Sequence, residues 1–266
     1  MFSDRTGPRG SRVGFLDEVR GLCIILMVIY HGLFNIVFLF GWDIPLPGGV
    51  RPLFWLMNTA FMQLAQPFVA GIFIFISGVA CRYSRSNLKR GLIALGLGLI
   101  ITVFTLRFMP ELPIYFGILH FLGSSMILFA LLRPLLDKVY AGLGFLLGLA
   151  LFVLTMGVYF GGFVGVAGVW TWYIPAAWTD VMWLIPLGFT HAGVDHFPLI
   201  PWFFVFLAGA YLGVAFTRRD MPDMFYHSRS RFLSAAGRRT IYIYVLHQPV
   251  LYGSMMGIQM LLERFA

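Results

Sequence analysis

The sequence predicts an all-α integral membrane protein: one domain over residues 1–266, built as a bundle of about seven transmembrane helices. Composition is the first reason. Of the 266 residues, 59% are hydrophobic and 11% charged. Ordinary soluble domains are about 25% charged, so there is too little polar surface here to coat a water-soluble fold. The second reason is a set of seven apolar runs, each long enough to cross the hydrocarbon layer as a helix. The third is charge placement. A net charge of +8 would suit nucleic acid, but all but three of the 19 Lys and Arg residues lie in alternate connections between the runs. That is the positive-inside pattern of a membrane protein, and no nucleic-acid partner is expected.

The elements follow in order. Residues 1–11 form a polar, basic tail. No small-residue cleavage site follows a short apolar core, so the first run, 21–40, reads as a retained span and not as a signal peptide. Further spans are expected at 61–81, 91–108, 114–132, 141–160, 198–216 and 240–261. The basic connections hold Arg82, Arg85, Lys89 and Arg90, then Arg133 and Lys138, then Arg218 through Arg239. The opposite connections hold only Arg51, Arg107 and Arg264. This parity places the N-terminus in the cytoplasm and the C-terminus outside.

Two outer connections are long and aromatic. Residues 41–60 carry Trp42 and Trp55; residues 161–197 carry Trp170, Trp172, Tyr173, Trp178 and Trp183. They read either as an interfacial aromatic belt or as a platform that stacks a sugar or covers a lipid acceptor. The basic connection 217–239 suits anionic headgroups or a phosphorylated substrate. Gly144-x-x-x-Gly148 and Gly209-x-x-x-Gly213 are spaced for close helix contact. Cys23 and Cys81 both lie in apolar runs and suggest neither a disulfide framework nor a zinc site.

The candidate chemistry centres on the stretch from Phe15 to His31. It opens with Asp17, Glu18 and Arg20, turns apolar, and then carries His31 deep into the run. Arg20 and His31 are eleven residues apart. They share one helix face and lie roughly 16 Å apart along the axis. Asp17, three residues before Arg20, is placed to pair with it. An ionisable side chain at mid-membrane depth is costly and reads as functional. His120 and His247 fall at comparable depth in other spans. The three histidines come from different helices, and no carboxylate lies deep in any span, so neither a metal site nor a proton relay is expected. In His247-Gln248-Pro249, the proline removes a helix hydrogen bond and frees a carbonyl one turn earlier. Such breaks are tolerated where they line a cavity, so His247 and Gln248 are read as facing a polar pocket or as marking a simple kink. Asp195 and His196 precede Pro198, Pro201 and Trp202 at the sixth span. Asp195 is expected to cap that helix or to orient an outer acceptor.

Four ordered motifs carry a family resemblance. They are Arg12-x-x-Phe15-Leu16-Asp17-x-x-Arg20-Gly21-Leu22 with Met27-Val28-x-x-His31; Tyr115-Phe116-Gly117-Ile118-Leu119-His120-Phe121; Asp195-x-Phe197-Pro198-Leu199-x-Pro201-Trp202; and Ile243-Tyr244-x-x-His247-Gln248-Pro249. Together they resemble the bacterial branch of the heparan-alpha-glucosaminide N-acetyltransferase catalytic-domain family, over residues 12–251. The Arg20-x10-His31 spacing also resembles that of integral-membrane acyltransferases that modify surface glycans. The resemblance implies a multi-pass protein of the bacterial cytoplasmic membrane. It also implies acyl transfer from a coenzyme A thioester, with acetyl-coenzyme A or another acyl-coenzyme A as co-substrate and no tightly bound cofactor. Lysosomal members carry a lumenal histidine proposed as an acetyl carrier. This chain has no histidine between Gly32 and Leu119, so that relay does not carry over and the catalytic histidine is expected to be His31.

The expected mechanism has Arg20 at the cytoplasmic mouth, neutralising phosphate or polarising the thioester. The face past Cys23, Ile24 and Met27 is expected to serve as a corridor for an extended pantetheine arm. His31 acts as general base on a glycan or lipid acceptor, or as the carrier of a covalent acyl group. His120, His247, Gln248, Asp195 and Trp202 orient the acceptor or steady the oxyanion, with Asp17 supporting Arg20. Membrane lipids are expected partners, and homo-oligomerisation is left open. The rival classes are a small-solute or lipid transporter using the same polar cavity, disfavoured by the lack of an internal repeat, and a non-catalytic membrane subunit.

Overall fold

In the computed structural model, the residues described are 13–43 and 45–265. The tail at 1–11 and Arg12 of the first motif lie outside them. The described residues are mostly helical: α1 Gly14–Phe34, α2 Pro52–Met57, α3 Ala60–Cys81, α4 Asn87–Phe108, α5 Ile118–Leu136, α6 Ala141–Gly161, α7 Leu199–Arg218, α8 Arg231–Arg238 and α9 Thr240–Phe265. Among the described residues, six helices are long and apolar enough to cross a membrane, the first of them running on through a π-helical turn as Gly14–Leu39. The seventh expected span is α9. Its 26 residues suffice in length, but His247, Gln248, Pro249 and Ser254 make it more polar than the other six.

The described residues pack as two compact units. In the unit Ile74–Met221, small residues let helices approach closely. A Cβ at Gly123 would fall 2.5 Å from the Leu95 backbone, which sets α4 against α5. Gly144 meets the Tyr211 ring and Gly148 meets Ala208, which sets α6 on α7. A Cβ at Gly209 would sit 1.9 Å from the Phe75 carbonyl oxygen, and one at Gly213 would sit 2.9 Å from that of Val79. Both glycine pairs expected from spacing are therefore used as close contacts. Arg82 closes one end of this unit: its Nε donates to the Ala210 carbonyl at 2.8 Å, and its guanidinium pairs with Asp137 and lies over Phe129.

Three features of this unit depart from expectation. The fourth apolar run becomes helical only at Ile118, because the chain before it is tied to α4 side chains: the Ile114 N–H donates to Thr105 Oγ1, and the Ile114 carbonyl accepts from Thr102 Oγ1. The connection after α6 contains an antiparallel hairpin, β1 Phe163–Val166 with β2 Trp170–Tyr173, so the fold is not purely helical. Asp195 does not cap α7. The cap is Pro198, without a side-chain bond, and Asp195 stands upstream in a left-handed conformation (φ 53°) against Gly117.

In the second unit, residues 13–73 and 222–265, α8 clamps the start of α1. Glu18 is buried, and its Oε1 accepts from Ser228 Oγ at 2.9 Å and from the backbone N–H groups of Arg229 and Ser230. Ser230 Oγ in turn caps α8 by accepting from Leu233 N–H. Gly21 lies against the Leu233 carbonyl and Gly237 against that of Asp17; a Cβ on either would fall at 2.0 Å or less. Ring contact Phe15–Phe225 ties α1 to the chain before α8, and Phe40–Tyr252 ties the residue after the π-helical turn to α9.

Candidate active site

The first and fourth motifs meet in this second unit. The Asp17–Arg20 pair forms as the spacing predicted, with Nη1 to Oδ1 at 3.0 Å. Three helical turns further on, His31 faces His247 of α9, edge to face, with ring centroids 4.9 Å apart. Each imidazole is held by its own helix. His31 Nδ1 is 2.9 Å from the Met27 carbonyl oxygen, and His247 Nδ1 is bonded to that of Tyr244. A carbonyl only accepts, so each Nδ1 carries the proton and each Nε2 presents a lone pair in the neutral ring. His247 is buried and its Nε2 has no hydrogen-bond partner. Such a buried, unpaired acceptor is costly and marks a place for a donor from outside the protein.

One turn beyond His31, Asn35 joins this pair to Gln248. Its Nδ2 donates to Gln248 Oε1 at 3.0 Å, and its side chain is fully buried with Oδ1 unpaired. Asn35 also opens the π-helical turn Asn35–Leu39, a deviation that recurs at functional sites. Sequence reasoning passed over it, although a lone amide four residues after a membrane histidine, in an otherwise apolar run, was the available signal. Gln248, read from the sequence as facing a polar pocket or marking a kink, meets Asn35 through this bond.

The corridor expected along α1 is closed. Cys23 and Ile24 are 4% and 2% exposed, and the turn before them is pressed on α8 through Gly21. A groove of about 330 Å³ runs along α9, walled by Val28, Tyr242, Leu246 and Val250, with Arg239 at one end and His247 in its lining. Arg239 and His247 are eight residues apart, roughly 12 Å of helix axis.

The second and third motifs meet in the other unit. The Phe197 N–H donates to the Phe116 carbonyl at 3.0 Å, and Val194 N–H to that of Pro113 at 2.9 Å. His120 is fully engaged there: Nδ1 accepts from Gly117 N–H, and Nε2 bonds Thr102 Oγ1 at 3.0 Å. Trp202 is buried among Phe152, Tyr159 and Phe197, with its indole N–H unpaired. Near it, His191 and His196 pack edge to face at 4.5 Å, and His196 Nε2 bonds the Ile185 carbonyl. Burial holds both of these imidazoles below the ordinary histidine pKa, and for His196 the neighbouring His191 adds to it.

The four motifs thus fall two by two, each pair closed by direct contacts, and all lie on the stretch matched by a family model described as heparan-alpha-glucosaminide N-acetyltransferase, catalytic, over residues 12–249. The chain belongs to this N-acetyltransferase family. Membership and the six apolar helices together make it a multi-pass membrane protein of acetyltransferase type. No curated protein and no solved structure matches it significantly.

Proposed function

We propose that this N-acetyltransferase family member moves an acetyl or other acyl group from cytoplasmic acyl-coenzyme A to an amine or hydroxyl of a glycan or lipid acceptor at or beyond the membrane. The carrying observation is the His31–His247 pair, with both Nδ1 atoms committed to backbone carbonyls. That arrangement fixes the tautomer a general base requires. His31 Nε2 takes the proton from the acceptor N–H or O–H as the acceptor lone pair attacks the thioester carbonyl carbon. The tetrahedral intermediate collapses, the C–S bond breaks, and the proton on Nε2 passes to the departing thiolate. A covalent variant uses the same lone pair: Nε2 attacks the thioester carbonyl, the C–S bond breaks as coenzyme A leaves as the thiolate, and the acceptor then displaces the acyl group from the imidazole as its proton passes to that thiolate. His247, 4.9 Å away between ring centroids, orients the acceptor, and Asn35 with Gln248 holds the two helices in register.

The donor's route in this reading is the groove on α9. Its walls are apolar and suit an acyl or pantetheine chain, and exposed Arg239 beside it suits a phosphate-bearing headgroup. Arg20 is occupied by Asp17 and sets the charge at the start of α1. His120, Asp195 and Trp202 serve within their own unit, holding the starts of α5 and α7. In this reading the N-terminus is cytoplasmic and α9 is a seventh span, both supported by the placement of basic connections, and the membrane is the bacterial cytoplasmic one that the motif resemblance implies.

The test is ligand-linked stability. A ligand that binds only the folded protein raises its apparent stability. Acetyl-coenzyme A is expected to give a saturable rise in thermal midpoint in detergent, weakened by Arg239→Ala and less by Arg20→Ala. The absence of any rise with acetyl- or longer acyl-coenzyme A, in folded protein, turns the assignment toward the transporter reading.

A further inference from the structure

We infer that the outer face of α8 is a docking surface for anionic phospholipid of the cytoplasmic leaflet. Helix α8 has two unlike faces. Ser234 and Gly237 are buried, with Gly237 pressed on α1. The adjoining arc presents Arg231, Phe232 and Arg238, all exposed, with Phe232 at 72%. At 100° per residue these three fall within about a third of the helix circumference. Exposed Arg229 and Arg239 flank the helix, and Tyr242 follows one turn on at 69% exposure. Among the described residues, Arg231, Arg238 and Arg239 enter no ion pair.

The level of this surface follows from what α8 grips. It lies against the first two turns of α1, through Asp17, Glu18 and Gly21, and α1 is a helix apolar enough to span a membrane. The arginine face therefore sits where a span meets its headgroups. Arginines at that level attract anionic headgroups, and an exposed Phe and Tyr beside them suit the boundary between headgroup and acyl chain. A nucleotide headgroup fits less well, because small-molecule sites are concave with converging donors, and this face is the outside of a helix. The same helix holds Asp17 and Glu18 in place, so lipid on one face steadies the α1 end that carries Arg20.

The test uses the full chain in detergent, titrated with dihexanoyl-phosphatidylglycerol or dihexanoyl-phosphatidylcholine while thermal stability is followed. The glycerol lipid is expected to give a saturable rise that the choline lipid does not match. Arg231→Gln with Arg238→Gln is expected to raise the half-saturating concentration about 25-fold, near fivefold per arginine. Phe232→Ser, which leaves the charges in place, is expected to weaken the effect more mildly. Equal responses to the two lipids, or an unchanged titration in the double variant, overturn the inference. So does a double variant that loses acetyl-coenzyme A binding without lipid present, since the arginines then belong to the donor. Loss of acetyl-coenzyme A binding in the unaltered protein counts against the proposed function and leaves this surface standing.

Discussion

His31 and His247 stand edge to face with ring centroids 4.9 Å apart, and each gives its Nδ1 proton to a carbonyl of its own helix. Two imidazoles so arranged are not equivalent in the proposed chemistry. His31 is half-buried, and the Nε2 of His247 is buried and unpaired. His31→Ala is expected to cut turnover by at least about 100-fold, the lower end of what a positioned base contributes. His247→Ala is expected to raise KM for the acceptor more than it lowers kcat. Initial rates of coenzyme A release across an acceptor panel separate the two effects.

The Asn35–Gln248 bond makes a stability prediction. Asn35→Leu strands Gln248, and leaving one buried polar partner unpaired costs about 1–3 kcal/mol. Removing both partners, as Asn35→Leu with Gln248→Leu, is expected to cost less than the two single changes added together. A double-mutant cycle by thermal unfolding checks this; strictly additive losses contradict a direct bond.

Glu18 makes a second. Its carboxylate accepts from Ser228 Oγ and from the backbone of Arg229 and Ser230. Hydrogen bonds to a charged group are each worth about 1.5–3 kcal/mol, so Glu18→Gln is expected to loosen the α8 clamp. Limited proteolysis reads it, with faster cleavage within residues 222–239. Gly237→Ala is expected to act in the same direction, since its Cβ would fall 1.8 Å from the Asp17 carbonyl oxygen.

Acid destabilisation is expected from His191 and His196. Burial depresses the pKa of both in the folded state from the ordinary value of 6.5. The unfolded chain therefore takes up protons first as pH falls. Stability from this pair is full above about pH 6.5, declines below it, and levels off once the folded-state histidines also protonate. Thermal midpoints measured between about pH 7.5 and pH 5 are expected to fall, and His191→Asn with His196→Asn is expected to flatten the slope.

Much of this architecture was readable one residue at a time. Hydropathy located the helices because a spanning segment must be apolar whatever it packs against. The i,i+3 spacing of Asp17 and Arg20 and the four-residue glycine pairs are local geometry, and each forms the contact its spacing allows. What was not readable depends on partners far along the chain. Asn35 meets Gln248 across 213 residues, and nothing near Asn35 names that partner. The corridor past Cys23 and Ile24 is closed because Gly21 and Gly237 let α8 press on α1, and a glycine in a sequence does not say which surface will approach it. Asp195 was misread for a local reason: the apolar, Pro-rich start of α7 looked like a helix in need of a cap, whereas Pro198 begins it and Asp195 turns back against Gly117. The hairpin at Phe163–Tyr173 was hidden by its aromatic content, which suits a membrane interface equally well.

The most direct measurement of the central claim is single-turnover transfer from radiolabelled acetyl-coenzyme A, in the unaltered protein and in His31→Ala, with the fold of each verified by its thermal midpoint. The account predicts label leaving the donor only when His31 is present, either on the acceptor directly or first on the protein in an acid-sensitive imidazole adduct. Transfer at an undiminished rate in folded His31→Ala protein would contradict it.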